Sequence, residues 1–242
     1  NKQVEIKLSR LVWRNAQSKV TLFMQGHHRK SWNYIDDTEV EVQRRVVSGW
    51  TAGVNYRTRF TSTFLDSNLT YKRGTGAFGA IQAPEEMYGE GTARYQIINA
   101  DTYIMLPFSV QNFNFRYSAA ARIQIQQTPL LPQERFSIGG RYSVRGFDGE
   151  SSLMGEKGFS LRNDLGWVLN GQYKELYLGL DVGRVSSVRS NALKGNTLVG
   201  AVMGFKGIWR NFNYDFFYGT DLYKPSKFTS QNPFDFALNY YF

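Results

Sequence analysis

The stretch Asn112-Phe113-Asn114-Phe115-Arg116-Tyr117-Ser118-Ala119-Ala120-Ala121-Arg122-Ile123-Gln124-Ile125-Gln126 alternates with period two along its whole length. Phe113, Phe115, Tyr117, Ala119, Ala121, Ile123 and Ile125 fall on one face. Asn112, Asn114, Arg116, Ser118, Ala120, Arg122, Gln124 and Gln126 fall on the other. A period of two is that of an extended strand, whose successive side chains point to opposite sides. Strands of soluble sheets average about six residues, whereas this apolar face persists for 13 residues opposite two arginines. Length and polarity together predict a strand with lipid on one side and a wet lumen on the other.

The pattern recurs along the chain. Phe212, Tyr214, Phe216 and Tyr218 alternate with Asn213 and Asp215, and Leu176, Leu178, Leu180 and Val182 with Tyr177, Gly179, Asp181 and Gly183. Val40, Val42, Val46, Trp50, Ala52, Val54 and Tyr56 share one face of 38–57, which reads as a single long strand. Eleven strands are predicted, at about 2–13, 18–28, 38–57, 62–73, 92–106, 112–126, 158–168, 174–184, 197–207, 211–221 and 232–242. Short connections (14–17, 58–61, 107–111, 169–173 and the one between 207 and 211) alternate with long ones (29–37, 74–91, 127–157, 185–196, 222–231). Outer-membrane barrels have short periplasmic turns and longer external loops. The predicted fold is therefore all-β, a transmembrane antiparallel barrel of the outer membrane. Phe234, Phe236, Leu238, Tyr240 and Phe242 lie on one face of the last strand. Leu238, Tyr240 and the terminal Phe242 look like the signal that outer-membrane assembly machinery reads. Bacterial single-chain barrels have even strand numbers, so residues 1–242 are expected to be the C-terminal part of a larger barrel, with any export signal outside them.

Composition narrows the function. No run approaches 18 consecutive apolar residues, which excludes a helical membrane protein. The mean hydropathy of −0.42 is low because only every second strand residue meets lipid. The absence of cysteine excludes disulfides, thiolate zinc sites and cysteine nucleophiles. The net charge of +9 is scattered, partly onto lumen positions such as Arg116 and Arg122, with no basic run that would track nucleic acid. His27 and His28 are the only histidines; adjacent in a strand, they point to opposite faces and read as an exposed pair. Gly74-Thr75-Gly76 is not followed by a helix, so it is no phosphate cradle. Asp36-Asp37 and Glu85-Glu86 read as solvated loop carboxylates, and Asn68-Leu69-Thr70 as a chance glycosylation match inside a strand. No nucleophile–base set, cofactor site or metal site is expected, and the chain reads as a non-enzyme.

The longest connection, 127–157, is too long to be a mere link. It contains Phe136-Ser137-Ile138-Gly139-Gly140 and then Val144-Arg145-Gly146-Phe147-Asp148-Gly149-Glu150. With Tyr71-Lys72-Arg73-Gly74-Thr75-Gly76-Ala77-Phe78, Leu178-Gly179-Leu180-Asp181-Val182-Gly183 and the terminal Phe242, these residues resemble the two-partner-secretion transporters (TpsB, the haemolysin-activator and filamentous-haemagglutinin transporter type). The resemblance covers essentially the whole chain. It implies a sixteen-strand barrel preceded by a plug helix and two POTRA domains, the latter and the first strands being absent from 1–242. It implies a translocation pore for a large cognate exoprotein of TpsA type: an adhesin, haemolysin or contact-dependent toxin. Further expected partners are outer-membrane lipid, lipopolysaccharide and the assembly machinery. A passive porin and a barrel-assembly insertase of the same superfamily are the alternative readings.

The resemblance also assigns roles. The motif loop tucks into the barrel, Arg145 pairs with Asp181, and the alternation separately puts Asp181 on the polar face. Val144, Gly146 and Phe147 form the packed tip, followed by Asp148 and Gly149, and Phe136, Gly139 and Gly140 make the turn at the start of the loop. Removing one partner of a desolvated ion pair costs about 3–5 kcal/mol, less if the lumen around it is wet.

Overall fold

The chain builds its sheet from hairpins in strict sequence order, each strand pairing with the one before it. The computed structural model describes residues 1–40, 44–169, 174–186 and 195–241. Eleven strands form one sheet: β1 (Lys2–Arg14), β2 (Ser18–Ser31), β3 (Arg45–Phe60), β4 (Thr63–Thr75), β5 (Gln96–Val110), β6 (Phe113–Gln126), β7 (Lys157–Val168), β8 (Lys174–Ser186), β9 (Thr197–Trp209), β10 (Phe212–Tyr223) and β11 (Phe234–Tyr240). The chain divides into two compact units. The first comprises 1–58, 67–101 and 124–135, the second 59–66, 102–123 and 136–242.

Register keeps like with like. In the first unit, β1 pairs Leu8 with Met24 on one face, and Lys7 with Gln25 and Glu5 with His27 on the other. In the second unit, Leu178 pairs with Met203 and Leu180 with Ala201, while Tyr177 pairs with Gly204 and Asp181 with Gly200. Burial is the reverse of a soluble sheet's. Leu176, Leu178 and Leu180 of β8 are 42%, 62% and 59% exposed, whereas Glu175, Tyr177 and Asp181 are 4%, 3% and 1% exposed. Soluble proteins almost never bury Asp and Glu while exposing a continuous leucine row. Lipid against the leucines accounts for the pattern.

The last pair, β10 and β11, extends this outward face with aromatics. Phe212 faces Tyr240 across the strands, Tyr214 faces Leu238, and Phe216 faces Phe236. Their rings come within 4.9 Å (Phe212–Tyr240) and 6.2 Å (Phe216–Phe236). Phe242 lies outside the described residues.

The boundaries shift where turn chemistry was misread. The strand expected over 38–57 begins only at Arg45. Residues Tyr34–Ile35 and Thr38–Glu39 instead form their own hairpin around Asp36 and Asp37, both with positive φ, as a tight two-residue turn requires. Val42 lies outside the described residues. The strand expected to stop before Pro107 continues through it to Val110, and the turn shrinks to Gln111-Asn112, with Gln111 at φ 53°. Likewise β3 runs on to Phe60 and turns at Thr61, φ 52°.

Candidate functional site

Residues 127–156 connect β6 and β7 and carry a small hairpin of their own. Phe136–Ile138 pairs antiparallel with Leu153–Gly155, Ile138 opposite Leu153. Phe136, Ile138 and Leu153 alternate inward and join Val144, Phe147, Val185, Leu198 and Phe228 in one buried cluster. This hairpin brackets the tip. Gly140 N donates to Val144 O at 3.2 Å, Ser143 N to Gly140 O at 3.0 Å, and Gly139 N to Ser143 Oγ at 3.0 Å. The resulting tight turn presents Val144 and Arg145 to the polar face of β8.

Arg145 is fully engaged there. Its Nε donates to Asp181 Oδ2 at 2.7 Å and its Nη2 to Asp181 Oδ1 at 2.8 Å, a bidentate fork. Its backbone N also donates to Asp181 Oδ2, at 2.9 Å. Nη2 further reaches Asp164 Oδ1 of β7 at 2.5 Å. Arg162 Nε stands 4.0 Å from Asp181, so two cations and two carboxylates balance. Arg145 and Asp181 are 2% and 1% exposed, which corrects the wet lumen expected around them. Burial alone would lower the guanidinium's pKa; the hydrogen bonds and charge of Asp181, then Asp164, outweigh it and hold it above its ordinary value. Beneath, the Tyr177 ring lies 5.9 Å from the guanidinium, and its hydroxyl donates to Asp215 Oδ1 at 2.8 Å.

The loop can approach this closely because the strands below it lack side chains. A Cβ on Gly200 of β9 would lie 1.8 Å from Arg145 O, and one on Gly219 of β10 would lie 2.8 Å from Gly146 Cα. On β8, a Cβ at Gly179 would meet Arg145 Nη2 at 2.8 Å, and one at Gly183 would meet Val144 Cγ2 at 2.7 Å. Gly146 itself has φ 103°, and a Cβ there would lie 2.3 Å from Thr220 O. Glycine in a strand often marks the close approach of another backbone, and here three neighbouring strands supply it together.

The rest of the motif ties outward. Asp148 accepts from Glu150 N at 3.0 Å and from Gln231 N at 2.7 Å, and Gly149 makes a left-handed turn at φ 85°. Arg141 pairs with Asp235 of β11 and donates to Phe236 O at 3.1 Å. Phe228, from the connection 224–233, meets Phe147 edge-on at 5.7 Å between ring centroids. Phe228→Ala is expected to loosen the docked loop by about 3 kcal/mol, since it empties an aromatic site in the cluster. The check is faster hydrogen exchange at the Gly140 amide, which is closed onto Val144 in the docked loop.

With fold and loop geometry in view, likeness to known proteins becomes specific. The family of haemolysin secretion/activation proteins ShlB/FhaC/HecB matches residues 1–207. The chain belongs to this family. Outer membrane transporter CdiB-2 of Burkholderia pseudomallei (strain 1026b) is 32% identical over 231 residues, which are 94% of this chain and 40% of that protein. Hemolysin transporter protein HpmB of Proteus mirabilis is 25% identical over 186 residues, 76% of this chain and 33% of that protein. The structure of CdiB from Acinetobacter baumannii superposes with a TM-score of 0.86 at 29% identity, covering 98% of this chain and 41% of that one. The chain thus spans about two fifths of the length of the relatives it matches. Its fold is the transmembrane antiparallel β-barrel of the ShlB/FhaC/HecB family.

In this member of the family, the structure brings Val144, Arg145, Gly146, Phe147 and Phe136 together with Asp181 and seats them in one packed body. Gly139 and Gly140 form the turn before the tip, whereas Leu238 and Tyr240 sit apart, exposed on β11. Sequence reasoning missed Asp164, Gly200, Gly219 and Phe228. Asp164 had a signal: it stands opposite Gly179 on the polar register of β7. Two further readings are corrected. The histidines are half-buried and partnered rather than exposed, His27 Nε2 to Tyr95 OH at 2.8 Å and His28 Nδ1 to Ser48 Oγ at 2.7 Å. Glu85 is not simply solvated but accepts from Arg45 Nη2 at 2.5 Å. Among the described residues no group of three or more His, Asp or Glu side chains could hold a metal ion.

Proposed function

We propose that this chain is the C-terminal part of the barrel of a two-partner-secretion transporter in the outer membrane of a Gram-negative bacterium. Its partner is a cognate TpsA-like exoprotein: an adhesin, haemolysin or contact-dependent toxin. The observation that carries the reading is a family motif loop folded onto the polar face, with Arg145 buried on Asp181 and Asp164. A loop held by a few charge contacts, the densest at Arg145, can occupy a conduit and still be released as a unit. No chemical step is involved. Without ATP in the periplasm, the drive comes from the exoprotein folding outside the cell. The exposed leucine and aromatic face contacts lipid and, on the outer side, lipopolysaccharide, and the last strand with Leu238, Tyr240 and Phe242 addresses the assembly machinery. The POTRA domains and earlier strands of the family belong to the same reading.

The test is export by the full-length protein. Arg145→Ala is expected to reduce secretion of the cognate exoprotein while the barrel still inserts and keeps its heat-modifiable gel mobility. Unchanged export by both Arg145→Ala and Asp181→Ala would overturn the proposed role of the loop. Steady ion conduction with no export phenotype would point to a passive porin instead.

A further inference from the structure

The segment leading into the motif loop carries a charge contact of its own. Residues 127–135 run beside 90–96: Thr92 N donates to Pro129 O at 3.2 Å, Gln127 N to Gln96 O at 2.9 Å, and Thr92 bridges to Leu130. Leu130 and Leu131 are buried, the former with Val47, Tyr95 and Ile97. A short 3-10 turn, Pro132–Glu134, follows, with Glu134 N donating to Leu131 O at 2.9 Å. It delivers the Glu134 side chain into a pocket of about 130 Å3 whose lining includes Glu5, His27, Arg29, Lys72 and Tyr95. There Oε2 lies 2.5 Å from Lys72 Nζ, and Oε1 lies 3.4 Å from Arg29 Nη2. The Glu134 side chain is 8% exposed, while those of Lys72 and Arg29 remain 27% and 32% exposed. Gln124 Nε2 holds the Glu134 carbonyl at 2.9 Å, and Lys72 also sits 5.1 Å over the Tyr95 ring.

A carboxylate is buried to this degree only where partners compensate it. The leucines beside it would pack equally well next to a neutral residue, so packing does not explain an acid at 134. What the acid adds is attraction to a cationic seat on β2 and β4. We propose that Glu134 is a further anchor of the long loop, opposite in sign to Arg145 and Arg141, held by Lys72 and Arg29. The loop then leaves the polar face only when this contact is broken along with those of Arg145 and Arg141, and Glu134 is a positioning residue that sets how often this happens. The purpose of such a device rests on the secretion reading above; the contact itself does not.

The experiment measures the open fraction of the full-length protein in planar bilayers, using variants whose gel mobility reports a folded barrel. Glu134→Gln is expected to raise the open fraction about tenfold, the population change that loss of a charge-assisted contact brings. Lys72→Met removes the same pair from the other side and is expected to match it. Glu134→Lys, repelled by both cations, is expected to open the channel further. Combining it with Lys72→Glu restores an opposite-sign pair, and the open fraction is expected to return to within about threefold of wild type. Wild-type conduction in Glu134→Gln and Lys72→Met, or failure of the charge swap to recover it, would overturn the anchor. Recovered gating in the charge swap, beside a wild-type protein that exports nothing, would instead overturn secretion and leave the anchor standing.

Discussion

Replacing Asp181 by alanine is expected to unfasten the motif loop while the sheet stays paired. The carboxylate accepts three hydrogen bonds from Arg145, two from the guanidinium and one from the backbone N–H. After the substitution the guanidinium retains only Asp164, in a site that leaves Arg145 2% exposed. Any water that enters the vacated space lacks the carboxylate's charge. Breaking a buried pair from one side costs about 3–5 kcal/mol, mostly through the stranded charge. The Arg145 amide reports this directly, because it donates to Asp181 in the docked loop. Its hydrogen exchange is expected to speed up by roughly a hundred- to a thousandfold. Asp181→Asn keeps an acceptor and should fall between. Asp164→Asn should do less, since Asp164 accepts a single bond and its side chain is 15% exposed. Wild-type exchange in Asp181→Ala would mean that the pair does not hold the loop.

The second large effect needs only one carbon. Gly200→Ala would put a Cβ 1.8 Å from Arg145 O, a distance no relaxation of a side-chain tip can absorb. Gly200 is fixed on both sides, opposite Asp181 of β8 and Asp221 of β10, so the strand cannot retreat. The loop must move instead, at a cost of about 3 kcal/mol. Gly26→Ala is the matched control: nothing lies within 4 Å of its Cβ position, and loop exchange should not change. Gly200→Ala and Asp181→Ala should also be less than additive, because each releases the same body. An Arg145 amide that stays protected in Gly200→Ala would show that the glycine is no seat.

The sheet was legible because its signal is strong and repeated. The faces of 112–126 and 174–184, with the alternation of short and long connections, needed no tertiary information. Errors came where one residue can act in two ways. Residues 107–111 read as a short connection, yet β5 continues through Pro107 to Val110. Asp36 and Asp37 were read as loose loop acids, yet they turn a hairpin. At the site, the motif and the polar register of Asp181 were visible in the sequence. The depth of their burial was not, because it depends on how closely the loop settles onto the glycines of the neighbouring strands, such as Gly179 and Gly200. Glu134 carried no signal at all: one acid in a loop looks solvated until the partners on β2 and β4 are known.

The glycine seats also change what the sheet beneath the loop is. A strand interior rich in glycine is weak, lacking both side-chain packing and conformational restraint. Along β8, β9 and β10, the positions beneath the loop are Gly179, Gly183, Gly200 and Gly219, so the loop itself supplies the layer of atoms that side chains provide elsewhere. Loop and sheet stiffen one another. Freed of the loop, the stretch it covers would be the most pliable part of the sheet, because nothing else fills the space above those glycines.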